Sequence, residues 1–198
     1  MFTVGVTGGI GSGKTLVCRI FSSFGIPVYH SDLRARHLTE NDPAIKRAIS
    51  EAFGPGALIS GKPDRVALAD IVFHDRTALE KLNSIIHPAV RKDIEAWINR
   101  HSGADYIIQE AAILFESGAY RKMDAVISVS APLETRISRV MARDSASRQE
   151  VLQRIHNQLD QEEKDRMADV VILNDGERML IPQIAEIHEK ILRKELLL

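Results

Sequence analysis

Gly8-Gly9-Ile10-Gly11-Ser12-Gly13-Lys14-Thr15 is the stretch that decides the fold of this chain. It matches the pattern G-x-x-x-x-G-K-[ST], and its flanks fit the same architecture. Residues 2–6 before it are apolar and predict a buried strand, whereas residues 14–24 have the spacing of an amphipathic helix. A glycine-rich loop between a strand and a helix directs several backbone N–H groups at one point, where they can bind the phosphates of a nucleotide.

The residue types in this loop suggest how it binds a nucleotide. The glycines let the backbone approach phosphate oxygens without an intervening Cβ. Lys14 would supply a positive charge to the β- and γ-phosphates, and the Thr15 hydroxyl is the expected protein ligand of Mg²⁺. The predicted nucleotide site comprises Gly8, Gly9, Gly11, Ser12, Gly13, Lys14, Thr15 and Leu16.

The composition is ordinary for a soluble globular protein. The chain has 198 residues, of which 44% are hydrophobic and 27% charged, enough for one α/β core with a small insertion. A net charge of −1 argues against a general nucleic-acid or membrane binder. We expect no signal peptide and no membrane span, because the first strand begins at once and no apolar run is long enough. The lone cysteine, Cys18, is expected in the core and fits a reducing cytoplasm.

Short runs rich in valine and isoleucine alternate with helical stretches along the chain. The predicted strands are residues 2–6, 26–29, 106–109, 125–129 and 170–173. They lack strict alternation of apolar and polar residues, which is typical of parallel strands covered by helices on both faces. We therefore predict an α/β fold with a five-stranded parallel sheet flanked by helices, forming a single domain over residues 1–198.

A long and largely helical stretch, about residues 33–101, separates the second and third predicted strands. A crossover between parallel strands needs only about a dozen residues, so this connection carries an insertion. The candidate N-caps of its helices are Asp42, Asp64 and Asp75. In a phosphate-transfer enzyme such an insertion would bind the second substrate. An insertion that serves only as a scaffold covering the sheet is equally compatible with the sequence.

Two carboxylates follow predicted strands at the edge where open α/β sheets bind ligands. Asp32, just after the second strand, could accept the proton of an attacking hydroxyl while a phosphoryl group is transferred. An N-cap for a helix over residues 33–38 is an equally good interpretation of Asp32. Glu110 follows the third strand and could orient metal-bound water or an acceptor group, although plain solvation also fits.

The segment after the fourth predicted strand is rich in arginine. Arg136, Arg139 and Arg143 are three and four positions apart, so they share one face of a predicted helix. The same helix has a predicted apolar stripe formed by Leu133, Ile137, Val140 and Met141. Because arginine neutralises charge on phosphoryl oxygens, we favour a closing lid, about residues 132–158, over a solvated basic face.

Two further patterns bear on the function. His87 precedes Pro88, and this pair predicts a helix that starts at Pro88 and runs over residues 88–101. A switch GTPase should contain D-x-x-G after a strand and N-K-x-D for guanine, and neither sequence occurs in the chain. The chain is therefore a poor candidate for a GTPase.

Motifs along essentially the whole chain resemble those of the dephospho-coenzyme A kinase family. Residues 7–14 resemble the family's extended phosphate loop, which is narrower than the generic pattern. The later matching segments are residues 29–36, 86–90, 113–116, 139–144 with Arg154 and Gln158, and 168–176. Each segment is short, but their order and spacing together make the resemblance specific.

The resemblance implies a fold, an activity and a location. The fold would be that of P-loop NTP hydrolases, with a helical acceptor-binding insertion and an arginine-rich lid. ATP would phosphorylate the ribose 3′-hydroxyl of dephospho-coenzyme A, giving coenzyme A and ADP, in the last step of coenzyme A biosynthesis. The protein would be a cytoplasmic monomer or weak homo-oligomer with a small-molecule substrate and no nucleic-acid or membrane partner.

The resemblance also implies roles for individual residues. Asp32 would be the general base, assisted by Lys14, Arg139 and Arg143 as further catalytic residues. Asn174 would lie near the adenine of the nucleotide. The acceptor would be bound by His87, Leu114, Phe115 and Glu116.

Three positions depart from the family pattern. Glu110-Ala111-Ala112 stands where Asp-x-Pro is frequent, and Arg136 stands where glutamine is common. Leu16 replaces a second hydroxyl residue, which leaves Thr15 as the sole hydroxyl candidate for the metal. None of these changes removes a group that phosphoryl transfer needs. Another small-molecule kinase and a nucleotide-dependent regulatory module stay open as alternatives.

Overall fold

The computed structural model describes residues 1–59 and 61–195, in which strands and helices alternate. In chain order the elements are β1 (Phe2–Thr7), α1 (Lys14–Ser23), β2 (Val28–His30), α2 (Ser31–Asn41), α3 (Pro43–Phe53), β3 (Leu58–Ile59), β4 (Lys62–Pro63), α4 (Arg65–His74), α5 (Arg76–Arg100), β5 (Tyr106–Glu110), β6 (Ala125–Ser130), α6 (Leu133–Asp144), α7 (Arg148–His156), α8 (Gln161–Met167), β7 (Val170–Leu173) and α9 (Leu180–Leu192). The chain divides into two compact units, Met1–His30 with His101–Leu198, and Ser31–Arg100.

The predicted five-stranded parallel sheet is confirmed in the first unit. Its strands follow the order β2-β5-β1-β6-β7, and all four neighbouring pairs are parallel. The second strand starts later than predicted, at Val28, because Ile26 still closes the turn after α1 by donating its N–H to the Phe21 carbonyl. The short antiparallel pair of β3 and β4 was not predicted.

The register brings the carboxyl ends of the strands to one edge of the sheet. Val6 of β1 and His30 of β2 both pair with Glu110, the last residue of β5. On the other side of β1, Ser130 at the end of β6 pairs with Leu173 at the end of β7. The glycine-rich loop leaves β1 at this edge, so residues that follow several strands can surround it.

The core of the first unit lies between the sheet and its helices. Val17, Cys18 and Phe21 of α1 are wholly buried against β1 and β5, and Ile184, Ile187 and Ile191 contribute from α9. The predicted core position of Cys18 is confirmed. Burial raises the pKa of the Cys18 thiol well above its ordinary range.

The second unit, Ser31–Arg100, is helical and has its own apolar cluster. Ile45, Ile49 and Leu68 are buried there. All three predicted N-caps are confirmed, because the carboxylates of Asp42, Asp64 and Asp75 accept hydrogen bonds from the first N–H groups of α3, α4 and α5. These bonds satisfy N–H groups that have no partner within the helix.

The prediction that Pro88 starts a helix is wrong. Pro88 lies inside the 25-residue helix α5, which begins at Arg76 after the Asp75 cap. Proline removes one helical hydrogen bond, but Leu82, Ile85, Ile86 and Ala89 pack against the apolar cluster on both sides of it and hold the helix together. His87 therefore lies in mid-helix and not at a helix terminus.

Helix length alone raises the question of a membrane span. Within residues 1–59 and 61–195, however, α5 and the shorter helices lack the combined length and apolar character that crossing a bilayer requires.

Candidate active site

The loop between β1 and α1 has the backbone that its glycines predict. Gly11 and Gly13 have φ angles of +82° and +97°, values that other residues adopt only with strain. The space at these glycines is also filled. A Cβ at Gly11 would lie 2.5 Å from the carbonyl oxygen of Arg136, and one at Gly13 would collide with the Asn174 amide. The loop is thus packed directly against α6 and the residue that follows β7.

Lys14, Thr15 and Leu16 open helix α1. The Lys14 side chain is buried, and its Nζ donates to the carbonyls of Gly8 at 2.7 Å and Gly9 at 3.3 Å. The ammonium group is therefore held over the loop. Thr15 and Leu16 are exposed in the first turn of the helix.

Asn174 contacts the loop from the end of β7. Its Nδ2 donates to the carbonyl of Ser12 at 2.7 Å, and its Oδ1 accepts from Arg139 Nη2 at 3.4 Å. Asn174 is 8% exposed, so this amide forms a buried bridge between the loop and α6. A position near the adenine stays a prediction from the family resemblance, whereas the contact of Asn174 with the phosphate loop is seen in the structure.

Three buried polar atoms beside the loop have no hydrogen-bond partner within residues 1–59 and 61–195. They are Ser12 Oγ, Arg136 Nε and Arg139 Nη1. A buried donor without an acceptor costs about 1–3 kcal/mol. Three such donors at one loop are typical of a site for an anion that carries many acceptor oxygens.

Arg136, Arg139 and Arg143 all lie on helix α6, as predicted, but their surroundings differ. Arg136 is 5% exposed, and its guanidinium packs against the position that a Gly9 Cβ would occupy. Burial lowers the pKa of Arg136, although the charges of Asp160 and Asp165 act in the opposite direction. Arg143 is exposed and donates to Asp144 at 2.7 and 3.0 Å. The two arginines therefore lie in different environments, because the loop covers one part of α6 and solvent the other.

The predicted apolar stripe of α6 is confirmed for two of its four residues. Ile137 and Val140 are buried with Val151 of α7, but Leu133 and Met141 are 44% and 37% exposed. Ile10 of the loop packs against the same cluster. The segment predicted as a lid is therefore in apolar contact with the phosphate loop.

Glu110 is not a solvated carboxylate, so that alternative is wrong. It is 8% exposed at the end of β5, and its Oε2 lies 2.5 Å from Nδ1 of His30 at the end of β2. Since the register places these residues side by side, the pair joins two strand ends at the edge that carries the phosphate loop.

Two residues predicted to bind the acceptor lie in the core of the first unit. Leu114 is wholly buried and Phe115 is 6% exposed, in a cluster with Ala111 and Val126. A Cβ at Gly5 would lie 2.6 Å from Leu114. The structure therefore gives Leu114 a packing role beneath β1, and its side chain offers no surface to a ligand.

Glu116 is held by α8. Its Oε1 lies 2.8 Å from Nζ of the fully buried Lys164 and accepts the N–H of Leu159 at 2.9 Å. Lys164 also donates to the carbonyl of Ala112 at 2.6 Å. Burial would raise the pKa of Glu116, but the hydrogen bonds and the charge of Lys164 outweigh it and lower this pKa below its ordinary 4.5.

This ion pair predicts a loss of stability in acid. Because the folded-state pKa of Glu116 is lowered, the stabilisation is complete above pH 4.5 and is lost as the pH falls below it. Glu116→Gln should cost about 1–3 kcal/mol at pH 7, since it leaves Lys164 buried without its counter-ion, and should flatten the acid limb of the stability profile. Thermal unfolding between pH 3 and pH 7 measures both effects.

Glu186→Gln is the matched control for that experiment. Glu186 pairs with Lys190 at 2.7 Å on the exposed surface of α9, where an ion pair contributes little. An acid limb that is unchanged in Glu116→Gln, or equally altered in Glu186→Gln, would contradict the role of the buried pair.

Asp32 and His87 belong to the unit Ser31–Arg100. Helix α2 begins at Ser31, so Asp32 lies in its first turn and the N-cap interpretation is wrong. A carboxylate in the first turn is favoured by the helix dipole. Helix α2 is tied to α5 by Arg34, which donates to both carboxylate oxygens of Asp93 at 2.9 and 2.6 Å.

Gln161, at the start of α8, contacts the loop but was not singled out from the sequence. Its Oε1 accepts the N–H of Gly9 at 2.8 Å, and Gln158 accepts the N–H of Ile10 at 2.9 Å. These partners are separated by 152 and 148 positions in the chain. No local pattern marks a glutamine at a helix start as part of a distant loop.

Comparisons with known proteins identify the family of this chain. A family model described as dephospho-CoA kinase matches residues 2–179. A dephospho-CoA kinase of Bacteroides fragilis is 40% identical over 184 residues, 93% of this chain and 90% of that protein. A crystal structure from Thermus thermophilus is 35% identical, with a TM-score of 0.86 and coverage of 98% and 97% of the two chains. A dephospho-CoA kinase from Campylobacter jejuni is 28% identical, with a TM-score of 0.69 and coverage of 97% and 98%. Because the family model and relatives of about 40% identity match it over most of its length, this chain belongs to the dephospho-CoA kinase family.

Proposed function

We propose that this chain is an ATP-dependent kinase that phosphorylates the ribose 3′-hydroxyl of dephospho-coenzyme A, giving coenzyme A and ADP. The observation that carries the phosphate chemistry is the set of buried, unpartnered donors at Ser12, Arg136 and Arg139 beside the glycine loop. Phosphoryl oxygens would supply the acceptors that these atoms lack. Membership of the dephospho-CoA kinase family supports the choice of acceptor.

The phosphates would meet the later part of the loop. The N–H groups of Gly9 and Ile10 already bind glutamine side chains, and the Gly8 and Gly9 carbonyls accept from Lys14. The first glycines would therefore shape the loop, whereas the backbone from Gly11 to Thr15 at the start of α1 would receive the β- and γ-phosphates. Lys14 would add its charge to that of the helix N-terminus.

Mg²⁺ fits this site through Thr15. Thr15 is exposed at the start of α1, and the loop that precedes it carries the unpartnered Ser12 hydroxyl. Mg²⁺ keeps several waters and phosphate oxygens and needs few protein ligands. Accordingly, it would not require a cluster of three acidic or histidine side chains, and the described part of the chain contains none. When bound, the ion would offset negative charge on the phosphates.

Asp32 and the arginines of α6 would serve the transfer itself. Asp32 would accept the proton of the 3′-hydroxyl as that oxygen attacks phosphorus. Arg139 would neutralise charge on the transferring group through its unpartnered Nη1. Arg143 would exchange its bonds with Asp144 for bonds to phosphoryl oxygens as the lid closes.

The acceptor assignments rest on the family resemblance. His87 and Glu116 stay predicted contacts of dephospho-coenzyme A, with Phe115 and the buried Leu114 supporting the segment that carries Glu116. The substrates of the proposed reaction, ATP and dephospho-coenzyme A, are small molecules. We also infer a cytoplasmic location, because the only cysteine is buried and has no second cysteine with which to form a disulfide.

An acceptor panel tests this function. ADP formation from ATP would be followed with dephospho-coenzyme A, nucleoside monophosphates and nucleosides as acceptors. Rapid turnover is expected with dephospho-coenzyme A alone, and mass spectrometry should identify coenzyme A as the product. The matched control is the 3′-deoxy analogue, which lacks only the hydroxyl that is proposed to be phosphorylated. Turnover of that analogue, or a preference for nucleosides, would contradict the proposal.

A further inference from the structure

Two side-chain amides bind consecutive N–H groups of the phosphate loop. Gln161 accepts from Gly9 at 2.8 Å, and Gln158 accepts from Ile10 at 2.9 Å. Both glutamines come from the segment between α7 and the first turn of α8. The first half of the loop is therefore fixed by α8 and the residues before it, and not only by its own turn.

The surroundings of Gln161 determine which way its amide points. The side chain is 7% exposed, and its Nε2 donates to Asp165 Oδ1 at 2.7 Å, Ser128 Oγ at 3.2 Å and the Val129 carbonyl at 3.3 Å. Asp165 also accepts from the hydroxyls of Ser128 and Ser130 at 2.6 and 2.7 Å. Since the carboxylate and the carbonyl can only accept, the amide nitrogen must face them, and the amide oxygen must face Gly9.

The peptide unit that joins Gly8 to Gly9 is held from both sides. Its N–H, that of Gly9, donates to Gln161 at 2.8 Å, while its carbonyl, that of Gly8, accepts from Lys14 Nζ at 2.7 Å. Rotation of this peptide would therefore also displace the ammonium of Lys14. Without Gln161, the buried N–H of Gly9 would lose its acceptor, and rotating the peptide would be the way to regain one.

We propose that Gln161, oriented by Asp165, is a positioning residue that keeps the phosphate loop in the shape that binds ATP. The two side chains are four positions apart on α8, and they transmit the orientation fixed by Ser128 and Ser130 of β6 to the peptide between Gly8 and Gly9. This role rests on the proposed binding of ATP at the loop, and neither side chain has to touch the nucleotide.

Gln161→Glu tests the orientation directly. The change puts a carboxylate oxygen where Nε2 now donates to Asp165, so two negative groups would face each other at about hydrogen-bond distance. ATP with Mg²⁺, titrated calorimetrically without acceptor, should bind at least tenfold more weakly than to the wild type. If this variant does not fold, Gln161→Met removes the acceptor of Gly9 without adding charge, and the same weakening is expected.

Exchanging the two groups should restore binding. In the double variant Gln161→Glu with Asp165→Asn, the introduced carboxylate can accept from the Gly9 N–H, the introduced amide and the Ser128 hydroxyl. The Ser130 hydroxyl can donate to the oxygen of that amide, so only the long bond to the Val129 carbonyl is lost. The Kd for ATP should return to within about threefold of the wild-type value.

Asp124→Ala is the control for a general loss of stability. Asp124 Oδ2 likewise accepts a backbone N–H, that of Thr3 at 2.7 Å, but at the opposite end of β1. It should lower the melting temperature and leave the Kd for ATP unchanged. The positioning role is contradicted if Gln161→Glu binds ATP normally, if the double variant binds no better than the single one, or if Asp124→Ala weakens ATP equally. A wild type that binds ATP but leaves dephospho-coenzyme A unphosphorylated contradicts only the proposed acceptor.

Discussion

Asp32→Asn is expected to lower turnover about 100-fold or more while nearly preserving the affinity for ATP. Asparagine has the size and shape of aspartate but cannot accept a proton at neutral pH, so the attacking 3′-hydroxyl would lose its base. The loss of a charge from the first turn of α2 should cost only about 0.3–1 kcal/mol of stability. The Arg34–Asp93 pair would still tie α2 to α5.

Turnover with dephospho-coenzyme A and calorimetric binding of ATP separate these effects. Asp42→Asn is the matched control, because Asp42 also lies at a helix start in the same unit and asparagine caps a helix as well as aspartate does. Its turnover should equal that of the wild type. Normal turnover of Asp32→Asn would reject the assignment, and so would an equal loss in Asp42→Asn.

Gly11→Ala is expected to weaken ATP binding about 100-fold or more, a loss of roughly 2.7 kcal/mol. The new Cβ would lie 2.5 Å from the Arg136 carbonyl oxygen, 2.9 Å from its Cα and 3.0 Å from its carbonyl carbon. These atoms belong to the backbone of α6 and cannot rotate away as a side chain could. Either the loop or α6 has to move, and both carry groups proposed to bind the phosphates. Calorimetry with ATP measures the loss.

Gly25→Ala separates the clash from backbone strain. Gly25 has a φ of +85°, close to the +82° of Gly11, but nothing lies within 4 Å of its missing Cβ. Alanine at this position should therefore cost only the left-handed strain, about 1–2 kcal/mol in thermal unfolding, and leave ATP binding unchanged. Normal ATP binding by Gly11→Ala, or an equal defect in both variants, would contradict the steric argument.

The fold was predictable because its signals are local. Valine- and isoleucine-rich runs and the aspartate caps each act within a few residues. Five strands, their parallel arrangement and three helix starts followed from them. The prediction of a helix start at Pro88 failed because it considered only the local preference of proline for a helix start. Apolar packing on both sides of Pro88 keeps α5 continuous.

The environment of the site arginines was not predictable from periodicity. Helical spacing shows which residues share a face but not what covers that face. Arg136 and Arg143 lie on the same predicted face, yet the phosphate loop buries the first and Asp144 pairs with the second. The family resemblance likewise gives no sign that Leu114 lies beneath β1, because that contact depends on the three-dimensional packing around Gly5.

The side-chain contacts that hold the phosphate loop were the least predictable part of the site. Gln161 and Asn174 bind loop residues 152 and 162 positions away. Only the sheet order brings β6 beside β1 and β7 beside β6. The residue type does not indicate such a contact, since the sequence does not distinguish a buried glutamine or asparagine from a solvated one. The loop itself was identified from its motif, whereas the groups that fix its shape required the fold.

Cys18 has a practical consequence for testing whether the segment predicted as a lid moves in solution. It is the only cysteine of the chain, it is wholly buried, and burial keeps its thiol protonated by raising its pKa, whereas thiol reagents react with the thiolate. A cysteine introduced on the exposed surface of α7 could therefore carry a single fluorophore without removal of a native thiol. In the unlabelled protein, the rate at which Cys18 reacts would report how often the core beneath the phosphate loop opens.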